Sequence, residues 1–354
     1  MRIAYFAHLN EGRGSGVVSK ISAQVGQWRR EGHTVRLFIA TTDVDTSWTS
    51  VLGDTVVCRY GGPLSRLRAM ARLVRSVRGF RPAIVYLRWE LFYPPMLFFP
   101  AGAPLVAEIN TDDATEAALG SPVRARYNAL TRGLLLRRAA AFVLVAAELG
   151  RVPSYRRFKA RQVVITNGID LAAYPSLPAP SEGPPRLVFI GTPEAPWNGV
   201  DKLVTLATMR PGWCFEIAGV EPVPGPALPN LAWHPLLERA EVLRLLGRAD
   251  VGVGTLALHR KSLDDGSPLK VREYLAVGLP VLYAYADADA DGLGAPYVLR
   301  IANTETNVVD ELAAIDSFVG AARGVRVPRS SVAGIDVTTK ERQRLALFAD
   351  LARE

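Results

Sequence analysis

Residues 264–284 read DDGSPLKVREYLAVGLPVLYA, and this stretch indicates how the second half of the chain folds. An acidic Gly/Ser/Pro loop runs into a short segment with helical periodicity. Gly278 and Pro280 then follow, and a glycine just past a helix with a proline beyond it is a stop signal. The pattern predicts a helix over 268–277 and a strand over Pro280–Ala284. Because the first turn of a helix presents backbone N–H groups, the loop before it is suited to a phosphate group.

The same stretch carries side chains that suit a nucleotide-sugar. Lys270 supplies a mobile positive charge in the first turn of the predicted helix, and Glu273 supplies a carboxylate one turn later that can accept hydrogen bonds from sugar hydroxyls. Asp265 lies eight residues before Glu273. The alternative is that Lys270 and Glu273 are solvated helix residues and that Asp265 only caps the helix.

Length and composition indicate a two-domain protein of a reducing compartment. The chain has 354 residues, of which 49% are hydrophobic, enough for two cores. Cys58 and Cys214 are too few for a disulfide framework or a cysteine-based metal site. The most apolar stretch, 91–107, contains four prolines, which argues against a membrane span. We therefore expect a cytoplasmic protein without a signal peptide, peripheral at the inner face of the membrane if it meets a membrane at all.

The net charge of +8 is concentrated in the first half of the chain. Residues 1–175 contain 24 Lys/Arg and 12 Asp/Glu. This asymmetry indicates an anionic partner, for which a phosphorylated substrate, an anionic membrane surface and nucleic acid all qualify. The alternative is a set of solvated arginine faces. No recognition module for nucleic acid accompanies the charge, so we do not expect nucleic acid as the partner.

Residues 65–81 read SRLRAMARLVRSVRGFR and have the pattern of a basic amphipathic helix. Its basic stripe consists of Arg68, Arg72 and Arg75. The apolar side is expected to consist of Leu67, Met70, Leu73, Val74 and Val77. Such a helix suits an anionic membrane surface or a lipid-linked acceptor. The alternative is an ordinary helix that packs its apolar face on a sheet.

Strands alternate with helices in both halves, which predicts two doubly wound α/β domains with parallel sheets. We expect a first domain over 1–174, a Pro/Ser-rich linker over 175–185, a second domain over 186–335 and a C-terminal helix over 336–354. The predicted strands are Ile3–Ala7, Val35–Ala40, Thr55–Arg59, Ile84–Leu87, Leu105–Ile109, Ala141–Val145, Gln162–Thr166, Arg186–Ile190, Cys214–Ala218, Val251–Thr255 and Pro280–Ala284.

The chain resembles the family 4 retaining glycosyltransferases, which have the GT-B fold of two facing Rossmann-like domains. The resemblance extends over most of the chain and depends on the order of several short motifs. These motifs are the Trp28–Val35 segment WRREGHTV with its Gly-His-x-Val ending, Pro104–Asn110, Asn167-Gly168-Ile169-Asp170 followed by Tyr174-Pro175, Phe189-Ile190-Gly191, Asn198-Gly199-Val200-Asp201 and Glu273–Val281. In that family the C-terminal helix crosses back to the first domain, and we expect the same of 336–354.

The resemblance implies a donor site in the second domain. Glu273 corresponds to the acid that binds the nucleotide ribose, and Asp265 corresponds to the acid that touches the transferred sugar. Residues 267–270, which include Lys270, correspond to the segment that holds the phosphates. The backbone that holds the diphosphate is expected at Gly266, Ser267, Pro268 and Leu269, with Gly191 and Asn198 beside it.

The resemblance also implies that a glycine loop over Gly14, Ser15 and Gly16 approaches the diphosphate or the acceptor. Further contacts are expected from positions at strand ends, where cleft residues tend to lie: His8 and Arg88 after the first and fourth strands, and Glu108 and Asn110 at the mid-domain strand. The alternative for the glycine loop is a tight turn without a further role. The alternative for Glu108 and Asn110 is a structural cap.

The family usually has an Arg/Lys pair after the first strand of its second domain, and this chain has neither in 191–199. Thr192 and Asn198 are nearest to those places. Lys270, with Arg260 or Lys261 as alternatives, is expected to supply the charge.

The resemblance implies a retaining transfer by front-face displacement from a nucleotide-sugar to a glycan, a lipid-linked acceptor or a small molecule. We expect no cofactor and no metal, and we interpret the acidic loop Asp287, Asp289 and Asp291 as a solvated turn. A nucleotide-sugar epimerase and a catalytically silent sugar-nucleotide-binding protein remain alternatives.

Overall fold

The computed structural model describes residues 1–10, 15–180, 182–191 and 195–354, and the chain divides into two compact units. The first unit comprises Met1–Gly168 and Val337–Glu354, and the second comprises Ile169–Asp336. Each unit is built on its own parallel sheet. The α/β class that the alternating pattern predicts is confirmed.

The first unit contains a parallel sheet of seven strands within the described residues. The strands are β1 Arg2–His8, β2 Thr34–Thr41, β3 Thr55–Arg59, β4 Ile84–Arg88, β5 Leu105–Ile109, β6 Ala139–Leu144 and β7 Arg161–Val164. The helices are α1 Gly16–Arg30, α2 Pro63–Phe80, α3 Asp113–Gly120, α4 Pro122–Leu136 and α5 Pro153–Arg156. The spatial order is β3-β2-β1-β4-β5-β6-β7, so β1, β4 and β5 lie side by side at the centre of the sheet.

The second unit contains a parallel sheet of six strands, again counted over described residues. The strands are β8 Arg186–Ile190, β9 Cys214–Ala218, β10 Leu231–His234, β11 Val251–Val253, β12 Val281–Tyr283 and β13 Val298–Arg300. The helices are α6 Val200–Met209, α7 Arg239–Gly247, α8 Leu269–Ala276, α9 Asn307–Asp310 and α10 Leu312–Ala322. The order is β10-β9-β8-β11-β12-β13, which brings the ends of β8, β11 and β12 together.

The last helix, α11 Val337–Leu351, belongs to the first unit, so the chain crosses back as predicted. Trp28 of α1 donates from its indole nitrogen to Glu341 at 2.7 Å. The ring of Phe348 lies edge-on to Trp28 and to Tyr86 of β4 at centroid distances of 5.3 and 5.4 Å. These buried aromatic contacts anchor α11 in the core of the first unit.

Residues in the predicted linker lie against the second unit. Leu177 N donates to Val277 O at 3.1 Å, and Arg326 donates to Pro178 O at 2.9 Å. Proline-rich composition therefore does not prevent this segment from packing.

Helix α8 lies within the predicted range 268–277. It packs closely on β11. A Cβ on Gly252 of β11 would lie 2.5 Å from the ring of Tyr274, so only glycine lets the helix approach to this distance. The Tyr274 hydroxyl accepts a hydrogen bond from Ile190 N at 2.8 Å, which ties the helix to the end of β8. Gly278 ends the helix with φ +84°.

Candidate functional site

Two loops meet at the carboxyl edge of the second sheet. The loop after β8 contains Asn198, and the loop after β11 leads into α8 through Pro268. Because β8 and β11 are neighbours in a parallel sheet, their carboxyl ends lie side by side, which is where open α/β sheets bind ligands. The first turn of α8 therefore opens toward the loop that carries Asn198.

Lys270 is a cation at this edge of the described sheet. Its Nζ donates to Asn198 Oδ1 at 2.9 Å and lies 4.0 Å from the centroid of the Phe189 ring. Burial lowers the pKa of Lys270 to about 7, against the opposing effect of the Glu273 charge. The Lys270 ammonium thus lies in a partly desolvated environment. An anionic ligand bound beside it would favour the charged form of the lysine.

Glu273 lies one turn further along α8, and its partner comes from a distant part of the chain. The Tyr174 hydroxyl donates to Glu273 Oε1 at 2.8 Å, and the Arg239 guanidinium lies 4.4 Å from the Tyr174 ring centroid. Burial raises the pKa of Glu273, while the hydrogen bond from Tyr174 and the charges of Arg239 and Lys270 oppose that rise. Tyr174 orients one carboxylate oxygen, and the carboxylate keeps acceptor capacity for a further hydroxyl.

The loop before α8 is fixed by backbone pairing with the segment after β12. Asp265 pairs with Ala286, and Gly266 N donates to Ala286 O at 3.0 Å. Ala286 N in turn donates to Asp264 O at 2.7 Å. This pairing sets the direction in which the chain enters Pro268 and Leu269.

The side chain of Ser267 lies inward rather than toward a ligand. Its Oγ accepts from Arg272 Nη2 at 2.8 Å, and the fully buried Arg272 also donates to Asp287 at 2.9 Å and to Asp289 at 2.8 Å. The prediction of a solvated acidic turn is therefore wrong for Asp287, which is fully buried. Asp291 accepts from the Tyr283 hydroxyl and from Arg300. Arg272 joins Asp287 and Asp289 to Ser267, and this buried clamp holds the loop before α8 in place.

Gly191 follows β8 and has little space around it. Its N donates to Ala218 O at 3.0 Å, and a Cβ there would lie 2.5 Å from the Phe189 ring. Thr192, the other candidate after this strand, lies outside the described residues.

The two alternative cations after β11 have other partners. Arg260 donates to both carboxylate oxygens of Asp201, at 2.9 and 2.8 Å, and also to Glu305. Lys261 lies 4.1 Å from the Trp197 ring centroid. The charge of Arg260 is thus compensated within the protein, which favours Lys270 as the phosphate-binding cation.

In the first unit, His8 ends β1 and meets Glu90, which follows the neighbouring strand β4. His8 Nδ1 lies 2.6 Å from Glu90 Oε2, and its Nε2 forms a hydrogen bond with the Tyr60 hydroxyl. Burial raises the pKa of Glu90, but the hydrogen bond and charge of His8, with Arg124, outweigh that effect and lower it. An ionised Glu90 only accepts, so His8 Nδ1 donates to it, and Nε2 shares a hydrogen bond with the Tyr60 hydroxyl.

Glu108 is fully buried inside the first unit. Lys20 of α1 donates to its Oε1 at 2.9 Å, and Arg88 lies 3.5 Å from its Oε2. Burial on its own would raise the carboxyl pKa, but Lys20, Arg88 and Arg344 hold it well below its usual range. Glu108 therefore reaches any ligand only through these cations.

Asn110 follows β5 and shares Lys20 with Glu108. Its Oδ1 accepts from Lys20 Nζ at 3.1 Å, while its Nδ2 is buried and has no partner among the described residues. Burial lowers the pKa of Lys20 to about 8. Lys20 thus fixes the orientation of the Asn110 amide.

The glycine loop is only partly described. Gly14 lies outside the described residues, Ser15 caps α1 by accepting from Val17 N at 3.1 Å, and Gly16 is the first helical residue. Ser15 and Gly16 thus form a helix N-terminus, and because α1 follows β1, it lies at the carboxyl edge of the first sheet.

Sequence reasoning misses four residues that hold the candidate site residues in place: Lys20, Tyr60, Tyr174 and Arg239. Each is distant in sequence from its partner, so no local spacing connects them. Tyr174 had the clearest signal, because it follows the Asn-Gly-Ile-Asp segment on which the resemblance partly depends.

Solved structures share the whole fold of this chain at low sequence identity. A glycosyltransferase from Rickettsia africae is 12% identical, with a TM-score of 0.65 over 100% of this chain and 99% of that one. HepE from Anabaena, in complex with UDP and glucose, is 14% identical, with a TM-score of 0.65 over 99% of both chains. The catalytic domain of starch synthase IV from Arabidopsis thaliana, bound to ADP and acarbose, is 12% identical, with a TM-score of 0.63 over 100% of both chains.

No protein-family model and no curated protein matches the sequence. At 12–14% identity the structural likeness establishes the fold alone. The chain has the two-sheet GT-B fold of these glycosyltransferases, as the resemblance predicts.

Proposed function

We propose that this chain is a glycosyltransferase that moves a sugar from a nucleotide-sugar donor to a glycan, a lipid-linked acceptor or a small molecule, with retention at the anomeric carbon. The observation that carries the proposal is the placement of Lys270 and Glu273 on successive turns of α8, at the carboxyl edge of a parallel sheet. Solved proteins of this fold in complex with UDP or ADP support a nucleoside diphosphate as the ligand.

In this proposal the diphosphate lies at the first turn of α8. The first backbone N–H groups of a helix have no partner within it, and the positive end of the helix dipole attracts the anion. Lys270 adds a full charge, and the ribose hydroxyls donate to Glu273. Asn198 orients the Lys270 ammonium, and Tyr174 orients the Glu273 carboxylate.

The transfer step exchanges one bond for another at the anomeric carbon. The bond from that carbon to the diphosphate oxygen breaks, and a bond to the acceptor oxygen forms on the same face. The acceptor proton passes to the departing diphosphate, which leaves as the nucleoside diphosphate. Because negative charge grows on the leaving group, Lys270 and the α8 N-terminus stabilise the transition state more than the ground state.

We assign Asp265 to the transferred sugar and the carboxyl edge of the first sheet to the acceptor. Asn110 offers a buried amide nitrogen without a partner among described residues, and Arg88 offers a partly exposed guanidinium. His8 and the segment Ser15–Gly16 lie at the same edge of that sheet. Glu108 acts through Lys20 on Asn110 rather than by touching the acceptor.

The His8–Glu90 pair favours a second possibility, an inverting transfer with His8 as general base. A carboxylate on Nδ1 orients an imidazole so that Nε2 can remove a proton from an acceptor hydroxyl. Against this, Nε2 is occupied by the Tyr60 hydroxyl, which an acceptor would have to displace. We therefore place retention first.

Two measurements test the proposal in sequence. A thermal-shift screen with UDP-, ADP- and GDP-sugars identifies the donor, since a ligand that binds only the folded chain raises Tm. The identified donor is then incubated with and without p-nitrophenyl glycosides and a lipid extract. Release of nucleoside diphosphate that requires an acceptor supports a transferase. Conversion of the donor sugar without an acceptor indicates an epimerase, and binding without either product indicates a silent binding protein.

A further inference from the structure

Helix α2 of the first unit presents leucine and arginine together to solvent. Leu64 is 74% exposed and Leu67 is 39% exposed. Arg68, Arg72 and Arg75 are exposed on the same side of the helix. The prediction that Leu67 belongs to the packed face is therefore wrong, whereas Met70, Leu73, Val74 and Val77 are buried as expected.

Helix α4 repeats this arrangement on its own outer face. Val123 and Leu130 are 80% and 72% exposed, and Leu134 is also exposed. Arg126 and Arg137 are exposed as well, and all five positions recur at spacings of three and four residues. They form one stripe along the helix, which is the reverse of the usual apolar face turned toward a core.

The short turn Pro94–Phe98 packs against both helices. Phe98 at its end is 65% exposed, and Arg138 just after α4 donates to Leu97 O. We call the exposed side of α2, Pro94–Phe98 and α4 the basic–apolar surface. Large apolar side chains exposed on three adjoining elements mark an interaction site rather than scattered surface residues.

The elements of this surface carry basic side chains and no acidic ones of their own, and Glu90 beside α4 pairs with Arg124 at 3.2 Å. Residues 55–89, 91–107 and 117–147 contain no Asp or Glu. Arginines beside exposed leucine, valine and phenylalanine match an anionic phospholipid interface, where cations meet headgroups and apolar tips enter the acyl boundary. A nucleic-acid backbone would satisfy the arginines but would leave the apolar side chains in water. Among the described helices, none is long and apolar enough to cross a membrane.

We propose that the basic–apolar surface docks the first unit onto a bilayer that contains anionic phospholipid. Arg68, Arg72, Arg126 and Arg137 supply attraction to the headgroups. Leu64, Phe98, Val123 and Leu130 insert their apolar ends. The proposal stands on the first unit alone and does not depend on the chemistry of the second.

The test is co-sedimentation of the full chain with phosphatidylcholine vesicles with and without phosphatidylglycerol. We expect binding to the anionic vesicles at low salt and weaker binding at high salt, since salt screens the arginine–headgroup attraction. Equal binding to neutral vesicles, or no binding to anionic vesicles at low salt, overturns the proposal. So does binding of duplex DNA at low salt that displaces the vesicles.

Variants separate the two parts of the surface. Arg126→Gln with Arg137→Gln should lower partitioning into anionic vesicles about twenty-five-fold, because each arginine near such a surface contributes about a fivefold factor. Phe98→Ser with Leu130→Ser should also weaken binding, and most clearly at high salt. Leu236→Ser in the second unit, equally exposed, is the matched control and should bind as wild type. Wild-type binding by both double variants, with circular dichroism showing a folded chain, overturns the assignment.

Discussion

Lys270 Nζ lies 2.9 Å from Asn198 Oδ1, so one hydrogen bond joins the first turn of α8 to the loop that follows β8. The ammonium also lies 4.0 Å from the Phe189 ring centroid, which favours its charged form by a cation–π contact. The sequence after β8 lacks the Arg/Lys pair that the resemblance leads us to expect. Asn198 in that segment instead positions Lys270, a cation from the first turn of α8. The consequences of this arrangement can be measured.

Replacing Lys270 should abolish most turnover without unfolding the chain. We expect Lys270→Ala to lower kcat by about a hundredfold or more, because a fixed cation beside a leaving group stabilises the transition state by several kcal/mol. Lys159→Ala, at an exposed lysine of the first unit, is the control. Turnover within about threefold of wild type in Lys270→Ala, with an unchanged Tm, would reject the role.

The affinity for nucleoside diphosphate should fall as pH rises. Burial lowers the pKa of Lys270 to about 7 in the free chain, so above that pH the lysine must take up a proton before it can pair with phosphate. Affinity should decline by about tenfold per pH unit above 7, until the higher pKa of the bound lysine is reached. Calorimetry at several pH values in buffers of different ionisation enthalpy measures both the affinity and the proton uptake.

Lys270→Arg is the control for this pH dependence, because an arginine stays charged throughout the range. Its affinity should show only the ionisation of the nucleotide itself. The same steep decline in both proteins would mean that another group titrates.

Glu273→Gln should weaken nucleotide binding through the ribose. A hydrogen bond to a charged group contributes about 1.5–3 kcal/mol, so the loss should be about tenfold to a hundredfold. For the wild-type chain, removing both ribose hydroxyls with a 2′,3′-dideoxynucleoside diphosphate should cost as much affinity as the Glu273→Gln substitution does. For Glu273→Gln, the dideoxy ligand should bind only slightly more weakly than the normal nucleoside diphosphate. Independent, additive losses would show that Glu273 does not contact the ribose. Tyr174→Phe should give a smaller loss, since it removes only the orienting hydroxyl.

Arg272→Ala should destabilise the second unit strongly. Arg272 and Asp287 are both fully buried, and removing one partner leaves an uncompensated buried charge, which costs about 3–5 kcal/mol of unfolding free energy. Arg300→Ala is the matched control, since its ion pair with Asp291 is partly solvent-exposed and contributes about 1 kcal/mol or less. Urea unfolding measures both. Equal effects of the two substitutions would contradict the proposed clamp on the loop before α8.

The sequence predicts the parts of the site that are close together along the chain. The strand bounds of β3, β5, β8 and β9 are predicted correctly, because their apolar runs are bounded by polar or turn residues. The short strands β10 and β13 are missed, because Leu231–His234 and Val298–Arg300 each end in a polar or charged residue and lack the purely apolar runs of β11 and β12. Helix α8 and its loop are found because Gly278 and Pro280 end the helix.

Contacts between distant segments are not visible in a single sequence. Tyr174 and Glu273 are 99 residues apart, and Lys20 and Glu108 are 88 apart. The acidic run that begins at Asp287 is an example. Alternating acids predict a solvated turn, whereas in the fold the buried Arg272 pairs with Asp287. Composition shows that the acidic residues are present, but not which basic residues pair with them in the fold.

The stereochemistry of transfer distinguishes the roles of Lys270 and His8. Under front-face displacement, His8→Asn should lower kcat less than tenfold, and the product should keep the anomeric configuration of the donor. A general base contributes about a hundredfold to ten-thousandfold, so a loss of that size with an inverted product would support His8 as the base. Proton NMR of the first product formed reads the configuration from its anomeric coupling constant.

The most direct test is a crystal structure of the chain with the nucleoside diphosphate that raises its Tm most. We predict a phosphate oxygen within hydrogen-bonding distance of Lys270 Nζ, the diphosphate at the first turn of α8, and a ribose hydroxyl on Glu273. A nucleotide bound with its phosphates away from α8 would contradict the proposed donor site.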